Sequence, residues 1–156
     1  MSIQVGEKAP NFTLRASDTN EVSLEDYKGK NVVLLFFPLA FTGVCTDELC
    51  SMRDDIASYD KLNAQILAVS VDSLFTLAKF KEDQKLSFPL LSDFNKAVSR
   101  SYDALYEDFV LDMKGVSKRS AFVIDGEGIV RYAEVLESAG DLPNFSAVKA
   151  TLESLS

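Results

Sequence analysis

The chain holds two thiols, Cys45 and Cys50, five residues apart. Cys45 lies in the stretch Pro38-Leu-Ala-Phe-Thr42-Gly-Val-Cys45-Thr-Asp-Glu48-Leu-Cys50, after a β-branched and aromatic run and at the opening of a helical segment. A thiol in the first turn of a helix sees unpaired backbone N–H groups and the positive end of the macrodipole, which favour thiolate over thiol. Cys45 is therefore a candidate nucleophile. Thr42, three residues earlier, can present its hydroxyl to an oxygen bound beside the sulfur. Pro38 cannot donate to a sheet and turns the chain, so it would form one wall of a tight pocket. A thiolate also calls for a fixed cation, and with no His in the chain the choice falls on Arg or Lys. Arg119, just before the apolar run Ala121 to Asp125, is placed to hold negative charge that develops beside the sulfur.

The absences narrow the chemistry further. Without His, Ser-His-Asp and Cys-His nucleophilic pairs and His-ligated zinc are excluded, and two Cys alone cannot complete a structural zinc site. Neither a G-x-x-x-x-G-K-[ST] phosphate loop nor a G-x-G-x-x-G dinucleotide fingerprint occurs; Gly126-Glu-Gly128 reads as a tight hairpin turn. No metal or cofactor is expected.

The elements that must position these residues follow from periodicity. Asn31 to Phe37, Gln65 to Asp72 and Ala121 to Asp125 are continuous apolar runs of the kind buried on both faces of a sheet. Between the first two, a helix is predicted from about Val44 to Leu62, with Cys45, Leu49, Met52 and Ile56 at helical spacing. A strand, helix, strand unit of this size implies parallel strands. Cys45 then sits at the carboxyl end of a central strand, where open α/β sheets place ligands. Ser73 to Gln84 gives a second helix with Ser73 as N-cap. Phe88 to Leu91 is short and extended, and Asn95 to Tyr102 is helical. Arg119 to Asp125 and Ile129 to Val135 form a hairpin, and Leu142 to Leu155 closes the chain as a helix with Pro143 in its first turn. Phe12 to Leu14 and Glu21 to Ser23 suggest a small extra hairpin. The pattern belongs to the α/β class, a central mixed β-sheet flanked by helices.

At 156 residues, with 47% apolar and 26% charged, the chain suits a single globular domain over residues 1–156. A net charge of −8 argues against nucleic acid and anionic membrane as partners, since both reward clustered Lys and Arg. The start lacks the basic flank and apolar stretch of a secretory signal, and the longest apolar run, Val32 to Phe41, is interrupted by Pro38. A cytoplasmic protein is expected.

Pro-x-x-x-Thr-x-x-Cys, here Pro38, Thr42 and Cys45, resembles the active-site motif of the peroxiredoxin family, and Arg119-Ser-Ala-Phe-Val-Ile-Asp125 resembles its Arg-bearing strand. Pro-Leu-Ala-Phe-Thr-Gly-Val-Cys and Phe88-Pro-Leu-Leu-Ser-Asp93 are most similar to the AhpE-like group, while a second Cys five residues on is similar to the PrxQ, or bacterioferritin-comigratory, arrangement. The resemblance implies a thioredoxin-like fold and reduction of hydrogen peroxide or organic hydroperoxides. Cys45 would be the peroxidatic cysteine and pass through a sulfenic acid. Thr42 would orient the peroxide, Pro38 would shield the sulfenic acid, and Arg119 would stabilise charge. Glu48 falls where many members carry a Glu that buttresses the Arg. Many relatives place another Arg shortly after the last strand, whereas Gly140-Asp-Leu-Pro143 offers none.

In the same light Cys50 becomes a candidate resolving thiol that attacks the Cys45 sulfenic acid to give an intramolecular disulfide. In a regular helix, residues five apart lie about 8–9 Å apart at Cα, beyond the roughly 7 Å that a disulfide tolerates. The first turns must unwind, or an external thiol must reduce Cys45. A thioredoxin-type dithiol is the expected reductant, and a monomer or homodimer the expected assembly.

Plainer readings stand beside each residue. Cys45 can be a small core residue in its apolar stripe, Arg119 a surface ion-pairing residue, Arg131 and Lys118 solvated, Thr42 and Pro38 turn residues, and Glu48 a complement to the helix dipole. Phe41 and Phe94 read as core or interface aromatics, with an apolar lip over the site as the alternative. A thiol–disulfide oxidoreductase competes on the same fold but ordinarily uses C-x-x-C, and a non-enzymatic redox sensor is the other competitor.

Overall fold

The structure is a computed structural model that describes residues 3–155. Strand β3 (Asn31–Phe36) is buried along nearly its whole length because both faces of its sheet are covered. Val33 and Leu35, with Phe37 just beyond, enter one core cluster, and Val32, Leu34 and Phe36 enter the other. That alternation is the pleat of a central strand.

Around it the chain forms β1 (Thr13–Ala16), β2 (Glu21–Ser23), α1 (Gly43–Asp54), α2 (Ile56–Lys61), β4 (Ala64–Ser70), α3 (Leu74–Gln84), β5 (Leu90–Ser92), α4 (Ala97–Ser101), β6 (Leu105–Asp108), β7 (Lys114–Ser117), β8 (Ser120–Ile124), β9 (Val130–Val135) and α5 (Phe145–Ser154). The main sheet runs β2-β1-β5-β4-β3-β8-β9, and β6 with β7 makes a separate two-stranded sheet. β3, β4 and β5 are parallel neighbours, while β8 is antiparallel to β3. The mixed α/β sheet expected from periodicity is therefore present. One core cluster takes Leu49 and Met52 of α1, Tyr59 of α2, Leu77 and Phe80 of α3, and Val148 and Leu152 of α5; the other takes Val98 of α4 with Phe12, Tyr102 and Phe122. Helices thus cover both faces.

Several boundaries differ from the sequence expectation. The long helix predicted over Val44 to Leu62 breaks at Asp55, whose backbone leaves helical geometry. Its carboxylate accepts from the Ser58 hydroxyl and pairs with Lys149, a local exchange of helix hydrogen bonds for side-chain ones. The last helix starts at Phe145, with Asn144 as N-cap accepting from the Ala147 N–H at 3.1 Å, so Pro143 precedes the helix instead of occupying its first turn. The β6–β7 hairpin lies outside the elements predicted from periodicity. Ser73 caps α3 as predicted, accepting from Thr76 N–H at 3.1 Å, and the Thr13–Ala16 and Glu21–Ser23 hairpin forms.

One fact of register brings the site together. Phe36 pairs with Ser120 across β3 and β8, so the residue before β8 lies beside the residues that follow β3. Arg119 therefore arrives at the end of β3 from which the Cys45 segment departs.

Candidate active site

After Phe37, whose N–H still donates to Val69 at 2.9 Å, the chain turns at buried Pro38 into α1. Thr42 is the N-cap residue of α1 but not by its side chain. Its backbone carbonyl accepts from Thr46 N–H at 2.9 Å, while its hydroxyl donates back to Leu39 O at 2.7 Å. The N–H groups of Gly43, Val44 and Cys45 precede that first helical bond and are left uncapped by Thr42, on the turn that carries the sulfur. The Thr42 hydroxyl, its proton spent on Leu39, keeps lone pairs that can accept.

Cys45, Glu48, Leu49 and Met52 form the buried stripe of α1, the i, i+3, i+4, i+7 spacing of one helical face. Arg119, the residue before β8, meets the stripe. It is only 2% exposed, against 1% for Cys45 and 0% for Glu48. Its Nη2 donates to Cys45 Sγ at 3.0 Å, its Nη1 to Glu48 Oε1 at 2.7 Å, and its Nε to Ala139 O at 2.9 Å. A guanidinium has five N–H donors in one plane, so two remain for another acceptor. A buried cation of this kind needs anionic company. Burial opposes its charge, but Cys45 and Glu48 outweigh that and raise its pKa. Burial pushes the Glu48 carboxyl up to about 7, with Arg119 pulling the other way.

Every residue predicted for the site except Cys50 and Thr42 is buried at this end of the sheet. Thr42 is exposed just before α1, and Cys50 is half-buried further along that helix. Both thiols are free, and both lie within the intact helix Gly43–Asp54. Cys50 Sγ donates to Gln84 Oε1 of α3 at 3.3 Å. Phe41 and Phe94 are exposed at 51% and 62% and so are not core residues; Phe41 lies edge-on to Phe80, centroids 5.1 Å apart. Lys118 and Arg131 are not simply solvated, as expected from sequence, but ion-paired, to Glu137 and Asp125 respectively.

Asp72 lies outside the site residues predicted from sequence. Its Oδ2 accepts from Ala40 N–H at 2.8 Å and from the Ser70 hydroxyl at 2.6 Å, bracing the loop between Pro38 and Thr42. The available signal was its place just past the apolar run of β4, next to β3. The Ala139 carbonyl was not readable, since its contact depends on how the loop after β9 folds back.

Residues 5–133 match the AhpC/TSA family. The chain belongs to the peroxiredoxin family. Alkyl hydroperoxide reductase E of Mycobacterium tuberculosis is 41% identical over 136 residues, covering 85% of this chain and 86% of that protein. Peroxiredoxin-2 of Bos taurus is 42% identical over 149 residues, 89% of this chain and 70% of that one. Among solved structures, peroxidoxin BcpB from Mycobacterium tuberculosis superposes with a TM-score of 0.87 at 28% identity, covering 99% of both chains. The peroxiredoxin described here accordingly has a thioredoxin-like fold and is a peroxidase of the oxidoreductase class. Among the described residues of this peroxiredoxin, no helix is long and apolar enough to cross a membrane.

Proposed function

We propose that Cys45 is the peroxidatic cysteine and that the enzyme reduces hydrogen peroxide and organic hydroperoxides through a Cys45 sulfenic acid. The observation that carries this is the Arg119 guanidinium, bonded at once to Cys45 Sγ and Glu48 Oε1 with two N–H groups in reserve. In the first step the sulfur attacks one peroxide oxygen. An S–O bond forms, the O–O bond breaks, sulfur is oxidised by two electrons, and the departing oxygen takes a proton to leave as water or an alcohol. The charge that develops along the O–O bond falls where the spare Arg119 donors and the uncapped N–H groups of α1 can meet it. Thr42 orients the peroxide as an acceptor, Pro38 keeps water from the sulfenic acid, and Glu48 holds the plane of Arg119.

Cys50 then resolves the sulfenic acid: its sulfur bonds to Cys45 Sγ and the hydroxyl leaves as water. A thioredoxin-type dithiol reduces the disulfide and returns both thiols. Because both cysteines stand in one unbroken helix, α1 opens during each turnover. Opening has a definite cost. It breaks the helix hydrogen bonds of that turn and disturbs Leu49, which lies between the two cysteines and is fully buried, a burial worth about 1.5–3 kcal/mol.

Mass spectrometry after one equivalent of peroxide tests the scheme. Loss of two hydrogens is expected for the native enzyme, and a persistent gain of one oxygen for Cys50→Ser. Cys45→Ser should consume no peroxide, and consumption equal to the native enzyme would end the proposal. A persistent added oxygen on the native enzyme favours the second reading, a one-cysteine peroxidase reduced directly by an external thiol, which the intact helix and the Gln84 contact support.

A further inference from the structure

Cys50 is held by another helix as well as by its own. Its thiol donates to the side-chain oxygen of Gln84, the last residue of α3, at 3.3 Å, and one turn along α1 Arg53 Nη1 donates to the Gln84 backbone carbonyl at 2.5 Å. The next residue, Lys85, is in the left-handed region at φ 54° and ends α3, so Gln84 offers an unsatisfied helix-end carbonyl to a cation, the pairing that such ends favour. Two side chains of α1 thus close on one residue of α3, through separate atoms of that residue. Neither contact takes part in the Cys45, Arg119 and Glu48 cluster.

We propose that Gln84 is a positioning residue that latches Cys50 and sets how quickly this thiol is released to meet Cys45. The inference rests on the reading of Cys50 as the resolving thiol, and it adds a decision point. While the latch is closed, the Cys45 sulfenic acid has no thiol within reach and remains open to a second peroxide. That reaction breaks another O–O bond, oxidises sulfur by two more electrons to the sulfinic acid and releases a second water or alcohol. Once the latch opens and α1 unwinds, Cys50 displaces the hydroxyl as water and a disulfide results. Gln84 therefore biases the partition between recyclable and inactivated enzyme. It does so without touching the peroxide.

The atoms involved separate a latch from general packing. Gln84→Met keeps the length of the side chain and removes the acceptor, whereas Gln84→Glu keeps an acceptor for the thiol proton. In neither variant is the backbone carbonyl used by Arg53 lost. In a Cys45→Ser background, the rate at which N-ethylmaleimide labels Cys50 should rise about threefold for Gln84→Met, the effect of one modest hydrogen bond, and should not rise for Gln84→Glu. In the enzyme with both cysteines, excess peroxide should give about threefold more disulfide relative to sulfinic acid for Gln84→Met, read by intact mass. Labelling of Gln84→Met at the parent rate, or equal acceleration by both substitutions, overturns the latch. Absence of disulfide from the native enzyme would instead remove Cys50 as resolving thiol and the partition with it, while the labelling rates still decide whether Gln84 holds Cys50.

Discussion

Glu48 gives Arg119 only one of its two carboxylate oxygens. Oε1 accepts from Nη1 at 2.7 Å, while Oε2, equally buried, accepts from nothing. An orphaned buried oxygen is where a proton can be taken up cheaply, and the Glu48 pKa lies at about 7, burial being the larger influence.

The pH dependence of stability follows with a definite sign. The ordinary carboxyl value is 4.5 and the folded value about 7, so the folded protein binds more protons than the unfolded chain between them. The contribution of Glu48 is fully present below the lower value and is lost as pH rises through the higher one. Relative to Glu48→Gln, the native enzyme should lose stability on going from about pH 5 to about pH 8, on the order of a few kcal/mol. Urea unfolding of both proteins at the two pH values checks this. Parallel curves would mean that Glu48 does not titrate in this range.

Arg119→Lys preserves the charge and loses the shape. One guanidinium now serves Cys45, Glu48 and Ala139 with three nitrogens in one plane; an ammonium is a point charge on a flexible stem and cannot span all three. The second-order rate constant with hydrogen peroxide should fall by about 10²–10³, the usual cost of a missing charge-stabilising donor. Stopped-flow kinetics of the reduced enzyme measure it. A loss under threefold would move Arg119 out of the reacting site.

Much of this site was legible in the sequence because it is built from local features. Cys45 and Glu48 are one helical turn apart, Thr42 stands just before the same helix, and Arg119 adjoins an unmistakable buried strand. The β3–β8 register that joins them is set by the sheet, since two continuous apolar runs do not by themselves fix which strands pair or where. Other parts were not readable because they depend on distant partners or on backbone that its residues do not advertise. The Gln84 contact spans two helices. The β6–β7 hairpin turns through Leu111 and Asp112 at φ 56° and 63°, positions where Gly or Asn would have been the signal. The break at Asp55 needed Lys149 from α5 to become visible.

Thr42 has two separable jobs. Its hydroxyl proton fastens the loop to Leu39 O at 2.7 Å, and in the proposed reaction its lone pairs accept from the peroxide. Thr42→Ser keeps both and should retain activity within about threefold, whereas Thr42→Val, which keeps the shape, should lose about tenfold to a hundredfold, the range of one to two lost hydrogen bonds. Peroxide titration in the stopped flow distinguishes them. Equal activity of the Val and Ser variants would leave Thr42 a turn residue only.

Phe41 stores strain beside the site. It has φ of 66°, uncommon for a bulky residue, and its ring is 51% exposed. Removing the ring leaves the backbone preference, so Phe41→Gly should be more stable than Phe41→Ala by about 1 kcal/mol. Thermal unfolding of the two variants checks the order. The reverse order would show that the loop relaxes once the ring has left Phe80.

In the proposed resolution step, Leu49 decides how α1 opens. Its side chain lies in the core with Met52, between the cysteines, so unwinding of the intervening turn either withdraws it from the core or pivots around it. Leu49→Ala should cost about 2–5 kcal/mol of global stability in either case. Only withdrawal makes part of that cost appear in turnover, because the closed helix then loses a contact that the open one never had. Disulfide formation should therefore accelerate by about tenfold in Leu49→Ala if the closed state loses about 1.4 kcal/mol relative to the open one. Rapid quenching with an alkylating agent after a single equivalent of peroxide reads the rate. A destabilised variant with an unchanged rate would mean that Leu49 stays buried and that the helix opens around it.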